Sequence, residues 1–81
     1  MYYILFTTTR CNKCPDFKSY VKDHIRFKGI ILDEVSDEFA DEISKNNVIS
    51  APTLIIYEND LRKKEIFRTS EIYEVKEFLC Y

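Results

Sequence analysis

Tyr2-Tyr3-Ile4-Leu5-Phe6-Thr7-Thr8-Thr9-Arg10-Cys11-Asn12-Lys13-Cys14-Pro15 decides the fold. Tyr2 to Phe6 is a continuous apolar, aromatic and branched run, which suits a β-strand covered on both faces and therefore central in its sheet. The cysteines open a segment, Asn12 to about Lys28, in which Phe17, Tyr20, Val21 and Ile25 recur at three- and four-residue intervals, the period of a helix with one buried face. Pro15 fits the first turn, where its missing N–H would have no intrahelical partner, and Gly29 supplies a stop. Two residues between thiols on a helix's first turn bring the sulfurs close enough to bridge with little backbone movement. The helix N-terminus, with its unpaired N–H groups and positive dipole end, favours a thiolate at Cys11. The chemistry this arrangement suits is thiol–disulfide exchange, with Cys11 as nucleophile and Cys14, one turn inside, as resolving thiol.

The 81 residues, 46% hydrophobic and 15% aromatic, suffice for one core, so a single domain over 1–81 is expected. A net charge of -2 with interspersed signs gives no basic stripe for nucleic acid, and no 18-residue apolar stretch suggests a membrane span. The Met1-Tyr2-Tyr3 start lacks the basic opening of a secretory signal, so the expected compartment is the cytoplasm and the expected state a monomer. Three cysteines are too few and too odd for a disulfide scaffold; Cys80 is the one left over, a free thiol with no assigned role. Zinc is not expected, because His24 lies ten residues beyond Cys14 on the same helix, about 15 Å along its axis.

The remaining chain alternates strand and helix signals. Ile30 to Val35 reads as a strand and Asp37 to Asn46 as a short helix with Phe39, Ala40 and Ile43 inward. Thr53 to Tyr57 is another apolar strand, Glu58-Asn59-Asp60 a turn, and Lys63 to Arg68 a more polar strand. Ser70 is placed to cap a last helix burying Ile72, Val75 and Leu79. The order is βαβαββα, an α/β fold: the first βαβ unit makes its strands parallel, the short turn makes the last two antiparallel, and a four-stranded mixed sheet is flanked by three helices.

With Cys11-Asn12-Lys13-Cys14 after the first strand and Ser50-Ala51-Pro52-Thr53 immediately before the third, the whole chain resembles a small glutaredoxin of the thioredoxin superfamily. The resemblance implies a thioredoxin fold, a cis-proline at Pro52 beside the cysteines, and an Ala51 backbone that pairs with an extended substrate segment, with Thr53 following the proline in the same substrate-binding stretch. It also implies a glutathione site in which Arg10, Lys13 and Arg68 attract carboxylates and Ser70-Glu71 supply the hydroxyl and acid. The chain departs from the family pattern at that site. Asn12-Lys13 replaces Pro-Tyr, Thr8 replaces a frequent lysine, and Phe67-Arg68 replaces the double glycine, where side chains would crowd the tripeptide. NrdH-type redoxins, recharged by a thioredoxin reductase, are the nearer comparison.

The expected function is that of a dithiol oxidoreductase, an electron carrier reducing protein or glutathione mixed disulfides, with no bound cofactor. Its partners are a disulfide-bearing protein and, as reductant, either glutathione or a thioredoxin reductase. The alternative is a redox-sensing or metal- or cluster-binding module on the same fold, without turnover.

Overall fold

The computed structural model describes residues 1–79, so Cys80 lies outside the described residues. Seven elements follow in the expected order: β1 (Tyr2–Thr7), α1 (Cys14–His24), β2 (Gly29–Asp33), α2 (Phe39–Asn46), β3 (Thr53–Tyr57), β4 (Glu65–Thr69) and α3 (Ile72–Leu79). The strands form one mixed sheet in the order β2-β1-β3-β4. β1 runs parallel to β2 and antiparallel to β3, which is antiparallel to β4. The fold is thioredoxin-like, as expected.

The apolar runs behave as central strands because helices cover both faces. Alternate residues of β1 point to opposite sides. Leu5 joins Leu54, Ile56, Phe17, Val21 and Val75 under α1 and α3, whereas Ile4 and Phe6 join Ile55, Tyr57 and Leu32 under α2. Ile4, Leu5, Phe6, Leu54, Ile55 and Ile56 are all fully buried. Removing each such side chain from water stabilises the fold by roughly 1.5–3 kcal/mol.

The ends of several elements differ from the expectation, each for a local reason. α1 stops at His24 rather than near Lys28, because Ile25 turns to an extended conformation and buries its own side chain. His24 closes the helix end, its imidazole 3.0 Å from the Tyr20 carbonyl and stacked on the Tyr20 ring. Gly29 is therefore not a helix stop but the first residue of β2, where the Tyr3 ring lies against it so closely that any Cβ would collide with the ring. β2 ends at Asp33, whose carboxylate accepts the Val35 N–H at 3.1 Å and turns the chain out of the sheet. The turn before β4 extends to Lys64, with Asn59 accepting the Leu61 N–H and Arg62 in the left-handed region. On α2, Ala40 is exposed instead of inward, and Glu42 is buried in its place. That carboxylate tolerates burial because the Arg62 guanidinium (2.9 Å) and the Asn46 amide (3.0 Å) both donate to it. Ser70 does not cap α3. Instead the Thr69 hydroxyl accepts the Glu71 N–H at 3.0 Å, just ahead of the helix, and donates to the Glu74 carboxylate in its first turn.

Candidate functional site

β1 delivers the chain to the end of the sheet at Thr7, and a six-residue loop then carries Cys11 to the start of α1. The helix begins at Cys14, with Lys13 as N-cap and Pro15 in the first turn. Cys11 therefore stands before the helix rather than within its first turn, its N–H donating to the Thr8 carbonyl at 3.4 Å. The two thiols are joined as a disulfide, with their Cα atoms 5.3 Å apart, inside the range that bridging requires. Their environments differ: Cys14 is 2% exposed beneath the helix start, and Cys11 is only half-buried. A reactant arriving from solvent meets Cys11 first.

The register of β1 with β3 pairs Phe6 with Thr53, which sets Pro52 at the same end of the sheet as the cysteine loop. The Ala51–Pro52 peptide is cis. Buried Thr53 braces this corner by donating to the Ser50 carbonyl at 2.7 Å, and its hydroxyl lies 3.4 Å from that of Ser70. A hollow beside the cysteines and a second one lined by Ala51 and Ser50 share Thr8 as a wall, so the disulfide and the cis-proline corner open onto one continuous surface.

The structure divides the cations and polar residues named from the sequence. Lys13 is ion-paired with Glu71 at 3.3 Å, and both line a hollow with Asn12 and Ser70 on the α3 flank of the disulfide. Arg68 is elsewhere. Its guanidinium donates to the Asn46 and Asn47 carbonyls (2.6 and 3.3 Å) and to Glu65, so it caps the C-terminus of α2 and lines neither hollow beside the cysteines. Phe67 turns into the core under α3, its ring 4.4 Å from that of Phe78. The two residues in place of the double glycine therefore point to opposite faces of the sheet, as strand alternation requires, and neither lines a hollow beside the cysteines.

The thioredoxin domain family profile matches residues 3–63, from β1 through the turn that precedes β4. The chain belongs to the thioredoxin domain family. Among solved structures it is similar to thioredoxin 1 from the thermophilic eubacterium Thermosipho africanus TCF52B, with 19% identity, a TM-score of 0.67, and coverage of 99% of this chain and 88% of that one. A second similar structure, described as a malarial protein, has 19% identity and a TM-score of 0.62 over 98% of this chain and 91% of its own. At these identities the likeness speaks for the fold alone. No curated protein matches the chain significantly. A thioredoxin-family domain carrying a bridged Cys11–Cys14 pair points to thiol–disulfide redox function.

One part of this thioredoxin-family site was not legible in the sequence. Glu34, just after β2, accepts both the backbone N–H (2.9 Å) and the hydroxyl of Thr9, tying the cysteine loop to a neighbouring strand end 25 residues away. No short-range signal marks such a contact. The Thr9 hydroxyl and N–H hold the Glu34 carboxyl below its ordinary value of 4.5, with Arg10 adding a smaller effect in the same direction. A depressed carboxyl contributes fully above its unfolded pKa and loses its contribution as pH falls through the lower folded one. The Thr9 amide resonance should therefore titrate with a midpoint below the ordinary value of 4.5. A midpoint at or above that value in an NMR titration would mean the clamp is not made. Among the described residues no helix is long and apolar enough to cross a membrane, and no three His, Cys, Asp or Glu side chains converge on a metal site.

Proposed function

We propose that the chain is a dithiol oxidoreductase that carries electrons to protein disulfides through Cys11 and Cys14. The observation that carries this reading is the asymmetry of the bridged pair: Cys11 half-buried at the mouth of the site and Cys14 buried beneath it. Cys11, before the positive end of α1 and next to Arg10, attacks one sulfur of the substrate disulfide as a thiolate. The substrate S–S bond breaks, one substrate sulfur leaves as a thiolate that takes up a proton, and a mixed disulfide forms. The Cys14 thiolate then attacks the Cys11 sulfur, releasing the second substrate sulfur and forming the Cys11–Cys14 bond. Two electrons pass from the dithiol to the substrate. The cis-proline corner supports the reading, since an extended substrate segment laid along Ala51 would present its sulfur to the same surface.

The reductant we propose is a thioredoxin reductase rather than glutathione. Glutathione brings two carboxylates that need donors. Of the three cations that the resemblance names for them, Lys13 is paired with Glu71, Arg68 is held at the end of α2, and only Arg10, which acts on Glu34 through space, makes no hydrogen bond or ion pair among the described residues. With a model protein disulfide as substrate, turnover driven by a flavin thioredoxin reductase should exceed that driven by glutathione at matched protein concentration. A glutathione rate equal to or above the reductase rate would overturn the choice of reductant. Absence of turnover with either would favour the sensing module without catalysis.

A further inference from the structure

Cys14, Lys18 and Lys22 are spaced four residues apart on α1 and so form one stripe along the helix. That stripe walls a hollow of about 460 Å³ that is also lined by Cys11, the Thr8-Thr9 segment and Asp33. Neither lysine makes an ion pair or hydrogen bond among the described residues, although Lys18 is half-buried. Asp33 offsets them only in part: its Oδ1 accepts from the Val35 N–H and the Ser36 hydroxyl, and it is one carboxylate against two ammonium groups. The opposite flank of the disulfide has the reverse character: Lys13 is neutralised by Glu71, and Asp16 is left beside the hollow there. On a chain of net charge -2, two lysines against one carboxylate beside the redox pair are a local excess of positive charge.

We propose that this trough docks an acidic peptide segment adjoining the substrate's disulfide, with Lys18 and Lys22 receiving its carboxylates. The inference rests on the reading of Cys11 and Cys14 as an exchanging pair, and it names the class of substrate that pair serves. A segment entering along α1 places its carboxylates over the two ammonium groups while its sulfur lies at Cys11, so charge sets the direction in which the substrate crosses the site. Partly exposed lysine–carboxylate pairs contribute a factor of roughly two to five each, and they act mainly on the association step, weakening as salt screens them.

The test uses two synthetic peptides with the same intramolecular disulfide, one flanked by three glutamates and the other by three glutamines, with neutral hydroxyethyl disulfide as a third substrate. At low salt kcat/KM should favour the glutamate peptide by about fivefold or more. The ratio should fall to less than about twofold in the Lys18→Gln/Lys22→Gln double variant, and in the parent at high salt. Each ratio is taken within one protein preparation, so a general loss of activity in the variant leaves it interpretable. A ratio near one in the parent, or one that survives in the double variant, overturns the proposal. Because the proposal depends on exchange, failure to reduce even hydroxyethyl disulfide overturns both readings, whereas reduction of all three substrates at equal rates overturns the trough alone. A glutamate peptide with serines in place of its cysteines gives a readout independent of turnover: it should shift the amide resonances of Lys18 and Lys22, and absence of such shifts counts against the trough.

Discussion

Cys14→Ser should leave the first half of the exchange intact and stop the second, so that a protein substrate stays covalently attached at Cys11. The serine hydroxyl cannot attack the Cys11 sulfur at neutral pH, and the mixed disulfide has no internal route of escape. Turnover on a protein disulfide without added small thiol should fall by about a hundredfold or more. Non-reducing electrophoresis should show the trapped adduct, which added dithiothreitol dissolves. The 2% exposure of Cys14 makes the converse variant behave differently. Cys11→Ser should be inert in both steps, because the remaining thiol is out of reach of a bulky disulfide. If Cys14→Ser turns over at the parental rate, or if Cys11→Ser is the variant that traps substrate, the assigned roles are reversed.

The second large effect is on stability. Phe17 is 1% exposed and packs with Leu5, Leu54, Ile56, Val21 and Val75, so it joins α1 to both the sheet and α3. Phe17→Ala should cost about 3–5 kcal/mol, the transfer of a large ring plus the cavity left behind. A domain of this length has only about 4–12 kcal/mol of total stability, so the variant should be marginal at room temperature. Urea unfolding measures this directly as a fall in the midpoint at constant slope. A loss under about 1 kcal/mol would show that α1 is not docked through this ring. Phe17 lies one turn beyond Cys14, and its loss should also loosen the helix start that holds the buried thiol.

What was legible in the sequence and what was not can be told apart residue by residue. Tyr2–Phe6 and Thr53–Tyr57 read as covered strands because an unbroken apolar run is stable only with both faces buried, and the observed order β2-β1-β3-β4 places both in the middle. Cys11 and Cys14 read as a redox pair because their spacing closes a bridge through local geometry alone, whatever the rest of the fold does. The cis peptide at Pro52 was legible only through resemblance, since an X-Pro step by itself is compatible with either isomer.

Helix ends were less accessible: Ile25 fits the helical period but leaves the helix, because its burial is satisfied equally well by an extended residue turning under the sheet. Ala40, expected inward, is exposed and Glu42 is buried for a similar reason. Periodicity ranks an alanine above a glutamate for an inward site, but it cannot see that Arg62, 20 residues on, supplies the counter-charge that makes Glu42 tolerable there.

The amino-acid sequence by itself determined the order of elements, the mixed sheet, the thiol pair and the segments that form the core, all of which follow from period, composition and short-range spacing. Only the tertiary structure decided which cations are available. Lys13 is answered by Glu71 and Arg68 by the carbonyl end of α2, while Lys18 and Lys22 are left facing the disulfide. Charges carry no periodic signature, and their partners lie 58 residues away for Lys13 and 22 for Arg68. Whether a cation is free or paired is settled by strand register and helix placement, which bring distant residues within a few ångströms.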